Sequence, residues 1–241
     1  MKRNMTGKTA AIVLAGGRGK RMNSDVHKQY LQLDGKPLIV YALEAFEAGP
    51  VDEIVLVTGA EEAAWAQQEI VRAYGFHKVC RVVAGGSERY HSVYEGLKAL
   101  DGRGCEIVLI HDGARPLVTT EIIERAVDGV RKYGACVAGM PVKDTIKKVD
   151  AADFALETPD RNYLWQIQTP QAFSYDLVRT AYDRLMEEEA SQAGITDDAM
   201  VVEQQTDHKV KLIRGSYENL KVTTPEDLIL AEALLKSRLK K

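Results

Sequence analysis

Short apolar runs alternate with longer stretches of helical periodicity through most of the chain. The apolar runs have the length of buried strands and lie at 10–14, 54–58, 81–84, 107–110 and 137–142. Amphipathic stretches separate them at 61–74, 87–100 and 119–133. Apolar strands joined by amphipathic helices are typical of βαβ units, in which helices cover both faces of a mostly parallel sheet. The pattern therefore predicts an α/β fold with a Rossmann-like, mostly parallel sheet flanked by helices.

This alternation is interrupted after residue 141. Residues 145–149 partly alternate polar and apolar side chains, 150–153 have the character of a turn, and a second short strand can follow. We interpret the segment 142–168 as a β-hairpin arm that protrudes from the main sheet. Because such a hairpin has little core of its own, its apolar face needs a partner. A second copy of the chain is the simplest partner, so we expect a homodimer.

The sheet pattern resumes after the arm. Helical patterns lie at 175–190 and 198–204, and the stretch 209–213 alternates as a strand. A last helix is predicted to begin at Pro225, since Thr224 can cap it and acidic residues follow in its first turn. No repeat, low-complexity tract or linker divides the chain. We therefore predict a single domain over 1–241 that includes the arm.

Composition narrows the class of protein. The chain has 241 residues, of which 45% are hydrophobic and 28% charged, and its net charge is −3. Without a basic surplus to neutralise a phosphate backbone, nucleic acid is not an expected partner. The three cysteines are isolated, which favours a reducing compartment. No apolar run reaches the length of a membrane span, so we expect a cytoplasmic enzyme without a membrane partner.

The loop after the first predicted strand combines glycines with basic side chains. It contains Gly16, Gly17, Gly19, Arg18, Lys20 and Arg21. Glycines let a backbone wrap closely around a ligand, and Lys and Arg supply charge for a polyanion. Met22 stands where a dinucleotide fingerprint has its third glycine, and no P-loop motif occurs. The loop indicates a polyphosphate site of another type, with a solvated glycine-rich turn as the alternative.

Asp112 follows His111 directly at the end of the apolar run 107–110. Ligands of parallel sheets bind beyond the carboxyl ends of the strands, where a carboxylate is well placed to hold Mg²⁺ together with phosphate oxygens. The alternative is that Asp112 caps the turn before Pro116. We favour the metal-binding interpretation and predict Mg²⁺ as the cofactor.

A second glycine-containing turn lies at 85–92. Its backbone and Ser92 could contact a base or a ribose hydroxyl, whereas the alternative is a plain helix start capped by Ser87. No arrangement of residues that would activate a serine or cysteine nucleophile is evident in the sequence. A phosphate monoester is already an anion at pH 7 and needs no general base. The sequence therefore favours transfer to a phosphate, assisted by cations alone.

Eight motifs in order along the chain resemble those of the 2-C-methyl-D-erythritol 4-phosphate cytidylyltransferase family. They are LAGGRGKRM at 14–22, KQY at 28–30, GGSERYHS at 85–92, HDGARP at 111–116, PVKDT at 141–145, DRN at 160–162, TPQ at 169–171 and NLKVT at 219–223. Each motif is weak alone, but the ordered set covers essentially the whole chain. The resemblance implies transfer of CMP from CTP to a sugar-alcohol phosphate, here 2-C-methyl-D-erythritol 4-phosphate, with release of pyrophosphate in non-mevalonate isoprenoid biosynthesis.

The resemblance also implies roles for individual residues. Arg21 and Lys28 would stabilise the pentacoordinate phosphorus and the leaving pyrophosphate. The remaining roles are nucleotide binding by Ala15, Gly16, Gly17, Gly86 and Ser92, Mg²⁺ binding by Asp112, and binding of the substrate phosphate by Thr145, Arg161 and Lys221. In the family the arm crosses to the other subunit of a homodimer, which implies that Thr145 and Arg161 complete the partner's site.

One departure and two alternatives accompany this resemblance. The family usually has Pro before its Lys-Gln-Tyr motif, where this chain has His27, and the loop is expected to be less rigid. Ribitol-5-phosphate cytidylyltransferase shares the first half and the chemistry, although Asp144, Thr145 and the motif at 160–162 favour methylerythritol phosphate. A catalytically inactive nucleotide-binding regulator is the alternative from another class.

Overall fold

A computed structural model describes residues 7–17 and 28–238 of the chain, without the side chain of Lys28. Its strands are β1 (Lys8–Leu14), β2 (Gln32–Leu33), β3 (Lys36–Pro37), β4 (Glu53–Thr58), β5 (Val79–Ala84), β6 (Cys105–Asp112), β7 (Ala135–Pro141), β8 (Lys148–Val149), β9 (Ala155–Glu157), β10 (Trp165–Ser174) and β11 (Lys211–Arg214). Its α-helices are α1 (Leu38–Ala48), α2 (Ala63–Trp65, continued as a π-helix over Ala66–Arg72), α3 (Arg89–Lys98), α4 (Thr120–Tyr133), α5 (Tyr175–Glu187), α6 (Asp198–Gln205) and α7 (Pro225–Arg238).

Seven of these strands form one central sheet in the order β11-β7-β10-β6-β1-β4-β5. Neighbouring strands are parallel except at β10, which runs antiparallel to both β6 and β7. The predicted α/β fold with a mostly parallel sheet is confirmed. Helices lie on both faces, since alternate residues of β1 contribute to different cores: Ala11 and Val13 to one, Ala10 and Ile12 to the other.

The register of the parallel strands determines where a ligand can bind. Leu14 at the end of β1 pairs with Asp112 at the end of β6 and with Val57 near the end of β4. The loops that leave these strands therefore begin at the same edge of the sheet. This is the edge at which open α/β sheets bind ligands.

Close packing brings α3 onto the sheet at Gly96. A Cβ atom added there would lie 2.6 Å from Cγ2 of Ile12 on β1 and 3.2 Å from Cγ2 of Val57 on β4. The missing side chain lets the helix approach the strands closely. Because α3 begins with Arg89, this contact also sets the position of the loop that precedes the helix.

The arm contains a short antiparallel hairpin made of β8 and β9. Asp150 organises its turn, as its Oδ1 accepts hydrogen bonds from the backbone N–H of Ala152 at 2.9 Å and of Phe154 at 3.0 Å. Apolar side chains of the hairpin lie in solvent, and Phe154 is 71% and Leu156 62% exposed.

Several element boundaries differ from the sequence interpretation, and two of these differences concern the arm and the start of α3. Residues 165–168, which we assigned to the arm, lie in β10 of the central sheet. The helix predicted from residue 87 begins at Arg89, with Glu88 and not Ser87 in the N-cap position.

Candidate active site

A cavity of about 970 Å³ opens at the carboxyl ends of the parallel strands. Its walls are the glycine-containing loops after β1, β4 and β5, and Asp112 and Ala114 at the end of β6. Lys221 reaches the cavity from the segment between β11 and α7. Three glycine-containing loops thus line the cavity together with charged side chains.

Asp112 is the carboxylate at the centre of this charged wall. Lys221 Nζ donates to its Oδ2 at 2.8 Å and Arg89 Nε to its Oδ1 at 3.3 Å, while Arg115 Nε lies 4.0 Å from Oδ2. Burial by itself would raise the pKa of Asp112, but the three cations outweigh it and hold that pKa well below its usual range. Asp112 is therefore ionised at every pH at which the protein would be assayed.

A single ionised carboxylate fits a magnesium ion that is held mainly by phosphate oxygens of a bound ligand. Mg²⁺ commonly binds through one or two carboxylates, substrate phosphates and several waters. Asp112 supplies one ionised carboxylate at the cavity. Within residues 7–17 and 28–238, no group of three or more His, Cys, Asp and Glu side chains could hold a metal by itself.

His111 lies behind Asp112 and is completely buried. Burial lowers the pKa of its imidazole to about 4, so the ring is neutral at pH 7. The backbone N–H of Asp112 donates to Thr169 Oγ1 at 3.1 Å, and that hydroxyl lies 3.1 Å from His111 Nδ1. The other ring nitrogen, Nε2, lies 3.3 Å from the carbonyl oxygen of Arg115. His111 and Thr169 thus hold the turn that carries Asp112.

Arg89 links the cavity to a buried carboxylate on α6. Its Nη1 and Nη2 donate to Oδ1 and Oδ2 of Asp198, both at 2.8 Å, and the hydroxyl of Tyr182 donates to Oδ1 at 2.6 Å. Burial alone would lower the pKa of Arg89, but Asp198 and Asp112 together raise it well above its usual value. Arg89 is therefore always positively charged. It makes a bidentate contact with Asp198 and contacts Asp112 only through Nε.

The loop after β5 is closed by Ser92. Gly86 N–H donates to Ser92 Oγ at 3.2 Å, and this hydroxyl donates in turn to the carbonyl oxygen of Glu88 at 3.2 Å. A Cβ atom at Gly85 would lie 2.5 Å from Ser92 Oγ, so the loop can close in this way only around glycine. In this structure Ser92 shapes the loop at the cavity.

Gln29 and Tyr30 hold the loops after β1 and β4. The buried side-chain amide of Gln29 donates to the carbonyl oxygen of Ala15. Tyr30 donates its hydroxyl to Glu62 Oε2 at 3.2 Å, and the same oxygen accepts the N–H of Gly59 at 3.2 Å. The short 3₁₀ turn that begins at Lys28 is thereby fastened to two walls of the cavity.

The structure brings together six of the residues singled out in the sequence. Lining the cavity are Gly16, Gly17, Gly86, Ser92, Asp112 and Lys221. Ala15 is buried just behind the wall, with its N–H donated to the carbonyl oxygen of Val57 at 2.6 Å. Arg21 and the side chain of Lys28 lie outside the described part of the chain.

Two predicted residues lie elsewhere. Thr145 and Arg161 are exposed on the arm and do not line the described cavity walls. Arg161 Nη1 donates to the carbonyl oxygen of Lys143 at 3.2 Å, within the arm itself.

Sequence reasoning missed Arg89, Gln29 and Asp198 as site residues. Arg89 and Gln29 stand inside the quoted motifs, so their positions there were the available signal. Asp198 was interpreted only as part of a helix start, because no local pattern shows that it meets a residue 109 positions away.

Comparisons with known proteins confirm the family resemblance of the sequence. The family of 2-C-methyl-D-erythritol 4-phosphate cytidylyltransferase matches residues 9–237. The enzyme of that name from Alkaliphilus oremlandii is 48% identical over 232 residues, which cover 96% of either chain. That from Lachnospira eligens is 51% identical over 227 residues, which cover 94% of this chain and 98% of the relative.

Solved structures give the same result. The 4-diphosphocytidyl-2C-methyl-D-erythritol synthase of Anaerococcus prevotii has a TM-score of 0.82 and 33% identity, covering 95% of this chain and 96% of its own. The 2-C-methyl-D-erythritol 4-phosphate cytidylyltransferase of Thermus thermophilus has a TM-score of 0.74 and 26% identity, covering 93% and 98%. With sequence and structure in agreement over nearly its full length, this chain belongs to the 2-C-methyl-D-erythritol 4-phosphate cytidylyltransferase family.

Proposed function

We propose that this protein transfers CMP from CTP to 2-C-methyl-D-erythritol 4-phosphate, giving CDP-methylerythritol and pyrophosphate in isoprenoid biosynthesis. The observation that carries the proposal is the ionised Asp112, fixed among Arg89, Arg115 and Lys221 at the cavity. The curated relatives, at 48% and 51% identity over nearly the whole chain, support the choice of acceptor.

In the proposed step, an oxygen of the acceptor phosphate bonds to the α-phosphorus of CTP as the bond to the pyrophosphate oxygen breaks. The acceptor is already an anion at pH 7, so no side chain has to remove a proton. The residues contribute by positioning and by stabilising negative charge. We assign charge stabilisation to Arg21, Lys28 and Lys221.

The nucleotide would lie between the glycine-containing loops after β1 and β5. We assign the backbone of Ala15, Gly16 and Gly17 to the triphosphate side, and Gly86 with Ser92 to the base and ribose. The cavity volume of about 970 Å³ is ample for a nucleoside triphosphate together with a small phosphate ester.

Asp112 is proposed to hold Mg²⁺ together with phosphate oxygens of the nucleotide. When bound, the ion would neutralise triphosphate charge. Lys221 and Arg89 already keep the carboxylate ionised and oriented, so Asp112 is a ready ligand at neutral pH.

The arm is proposed to join two copies of the chain into a homodimer. Its exposed apolar side chains, Phe154 and Leu156, need a covering surface. We assign Thr145 and Arg161 to the acceptor phosphate in the partner's cavity, because they do not line the cavity of their own chain. No helix in the described segments is long and apolar enough to cross a membrane. We place the enzyme in the cytoplasm, where CTP is available, with no nucleic-acid partner.

The decisive experiment is a pyrophosphate-release assay with CTP and Mg²⁺, comparing two acceptors. We expect release with 2-C-methyl-D-erythritol 4-phosphate to exceed that with ribitol 5-phosphate by orders of magnitude in kcat/KM. Preference for ribitol 5-phosphate would assign the chain to the sister activity. CTP binding without pyrophosphate release from either acceptor would make the chain a nucleotide-binding regulator.

A further inference from the structure

We propose that Asp198 is a positioning residue for the nucleotide cavity and that it acts through Arg89. The inference rests on the proposed function, since the ligand concerned is CTP. Asp198 itself does not line the cavity. Its effect is therefore transmitted by the guanidinium group that it holds.

The contact between these two side chains fixes the guanidinium in one orientation. Asp198 is 0% exposed, and both of its oxygens accept hydrogen bonds from Arg89 at 2.8 Å. The Tyr182 hydroxyl occupies a further acceptor position on Oδ1 at 2.6 Å. With Nη1 and Nη2 held by this bidentate pair, Arg89 contacts Asp112 through Nε, at 3.3 Å. A buried ion pair adds little net stability because both charges lose their hydration. The main effect of this pair is to fix the orientation of the Arg89 guanidinium.

Asp198 is in turn held firmly on the central sheet. The Gln171 side chain on β10 accepts the N–H of Ala199 at 2.8 Å and donates to Asp197 Oδ2 at 2.9 Å. These bonds fix the first turn of α6 beside β10. Arg89 is therefore anchored to the central sheet through the carboxylate of Asp198, whose own position is fixed.

Two parts of the cavity depend on this anchor. Arg89 is the first residue of α3 and directly follows the cavity-lining loop that contains Gly85 and Gly86. It also touches Asp112 Oδ1. Without Asp198, the Nη1 and Nη2 groups of Arg89 would be free to bind Asp112. The carboxylate of Asp112 would then be drawn away from the cavity, and the loop that contains Gly85 and Gly86 would be displaced. The expected result is weaker binding of CTP.

The test compares Asp198→Asn with a matched control, Asp197→Asn. Both variants remove one carboxylate from the same helix start. In Asp197→Asn the new side chain still caps the helix, and the Ala199–Gln171 bond still ties the first turn of α6 to β10. Isothermal titration with CTP and Mg²⁺ measures binding without an acceptor. We expect Asp198→Asn to weaken CTP binding about ten- to hundredfold, as a misplaced site does. The Asp197→Asn control should stay within about twofold of the wild type.

A second comparison separates positioning from a general loss of structure. Introduced into an Arg89→Gln background, Asp198→Asn should weaken CTP binding no further, because residues that act as one unit are not additive. Equal losses in both backgrounds would overturn the proposal, as would an Asp198→Asn variant that binds CTP as tightly as Asp197→Asn does.

Tyr182→Phe covers the case in which Asp198→Asn does not fold. It keeps the ion pair but removes one hydrogen bond to Asp198, and we expect a smaller loss of CTP affinity with a native circular dichroism spectrum. If Asp198→Asn is unfolded and Tyr182→Phe binds CTP normally, the proposal is wrong. A wild-type protein that binds CTP but releases no pyrophosphate would refute the proposed function alone, and one that binds no CTP would refute both.

Discussion

Three cations converge on one carboxylate at the end of β6. Asp112 carries one negative charge, whereas Arg89, Lys221 and Arg115 carry three positive charges. Asp198 supplies a second negative charge, paired with the Nη1 and Nη2 end of Arg89. These five side chains together carry one net positive charge, while Glu88, which also lines the cavity, takes part in none of these ion pairs. This imbalance suits a polyphosphate ligand, whose oxygens would complete the set of ionic contacts.

Replacing Asp112 by Asn tests the role of its charge. The amide keeps the size of the side chain but cannot bind a metal as strongly or balance Lys221. We expect kcat/KM to fall about 10- to 100-fold, with more Mg²⁺ needed for half-maximal rate. Initial rates over a Mg²⁺ titration measure both effects. Full activity at ordinary Mg²⁺ would favour the turn-capping interpretation of Asp112.

His111 gives the protein a pH-dependent stability. Its pKa is about 4 in the folded state, against an ordinary value near 6.5. Between these values the unfolded chain binds a proton that the folded chain does not, so lowering the pH favours unfolding. We expect this residue to cost about 2 kcal/mol of unfolding free energy between pH 7 and pH 5, at about 1.36 kcal/mol per pH unit. Urea unfolding at several pH values measures the slope.

The matched control for this prediction is His111→Gln, which cannot titrate. Its unfolding free energy should fall less steeply over the same range, even if the variant is less stable at pH 7. Asp112 does not interfere, because its depressed pKa causes a loss of stability only below the ordinary pKa of an aspartate. Parallel slopes for the two proteins would show that another group is responsible.

At the scale of elements, periodicity predicted the parallel strands and the helices α2 to α7 because each is a local pattern. It missed α1, whose sequence is mostly apolar and buried. It failed at β10, where Gln168, Thr169 and Gln171 are buried polar residues that interrupt the apolar signal. The side chains of Gln168, Thr169 and Gln171 are satisfied by the distant residues Asn219, Asp112 and Ala199, which no local pattern reveals. The two-residue strands β2 and β3 were too short to be predicted.

Gly96 provides a test of how closely α3 packs on the sheet. In Gly96→Ala the new methyl group meets Cγ2 of Ile12, a branched atom close to the backbone of β1. Overpacking should outweigh the gain of about 0.5–1 kcal/mol in helix propensity and leave a net loss of about 1–2 kcal/mol. Denaturant unfolding measures this. The neighbouring, half-exposed Glu95 supplies the control: Glu95→Ala removes only a surface ion pair with Lys98 and should change stability by less than about 0.5 kcal/mol. A more stable Gly96→Ala protein would contradict the packing.

At the scale of the whole molecule, the sequence predicted the edge of the sheet at which the cavity forms. Glycine and charged motifs follow the strand ends, and parallel strands place those ends together. What it could not predict was which cations would meet Asp112, since Lys221 lies 109 residues further along the chain. The partner of the arm is a property of two chains, and neither the pattern nor one folded copy determines it.

Mixing two inactive variants tests the crossing arm. Lys28→Ala should be inactive because it lacks a charge-stabilising group, a loss of about 10²–10³ in rate. Arg161→Ala should be inactive because it lacks the guanidinium group that binds the acceptor phosphate. In a mixed dimer one site carries both defects and the other carries neither. With free exchange of subunits, half of the dimers are mixed, so about a quarter of wild-type activity should return.

Size-exclusion chromatography with one tagged variant verifies that subunits exchange. Exchange without recovered activity would place Arg161 in the site of its own chain, and the crossing-arm proposal would be wrong. A mixture of either variant with itself supplies the background rate.

The position of β10 in the sheet has a consequence for biosynthesis. β10 lies between β6 and β7, so β7 has no place in the main sheet until β10 has been made. As the chain leaves the ribosome, the four parallel strands β1, β4, β5 and β6 can assemble first, whereas β7 must wait for the arm to be translated. Lys221 and Asp198 arrive later still. A nascent or prematurely terminated chain therefore carries the glycine loops but lacks Lys221 and Asp198, whose charges complete the network around Asp112 and Arg89.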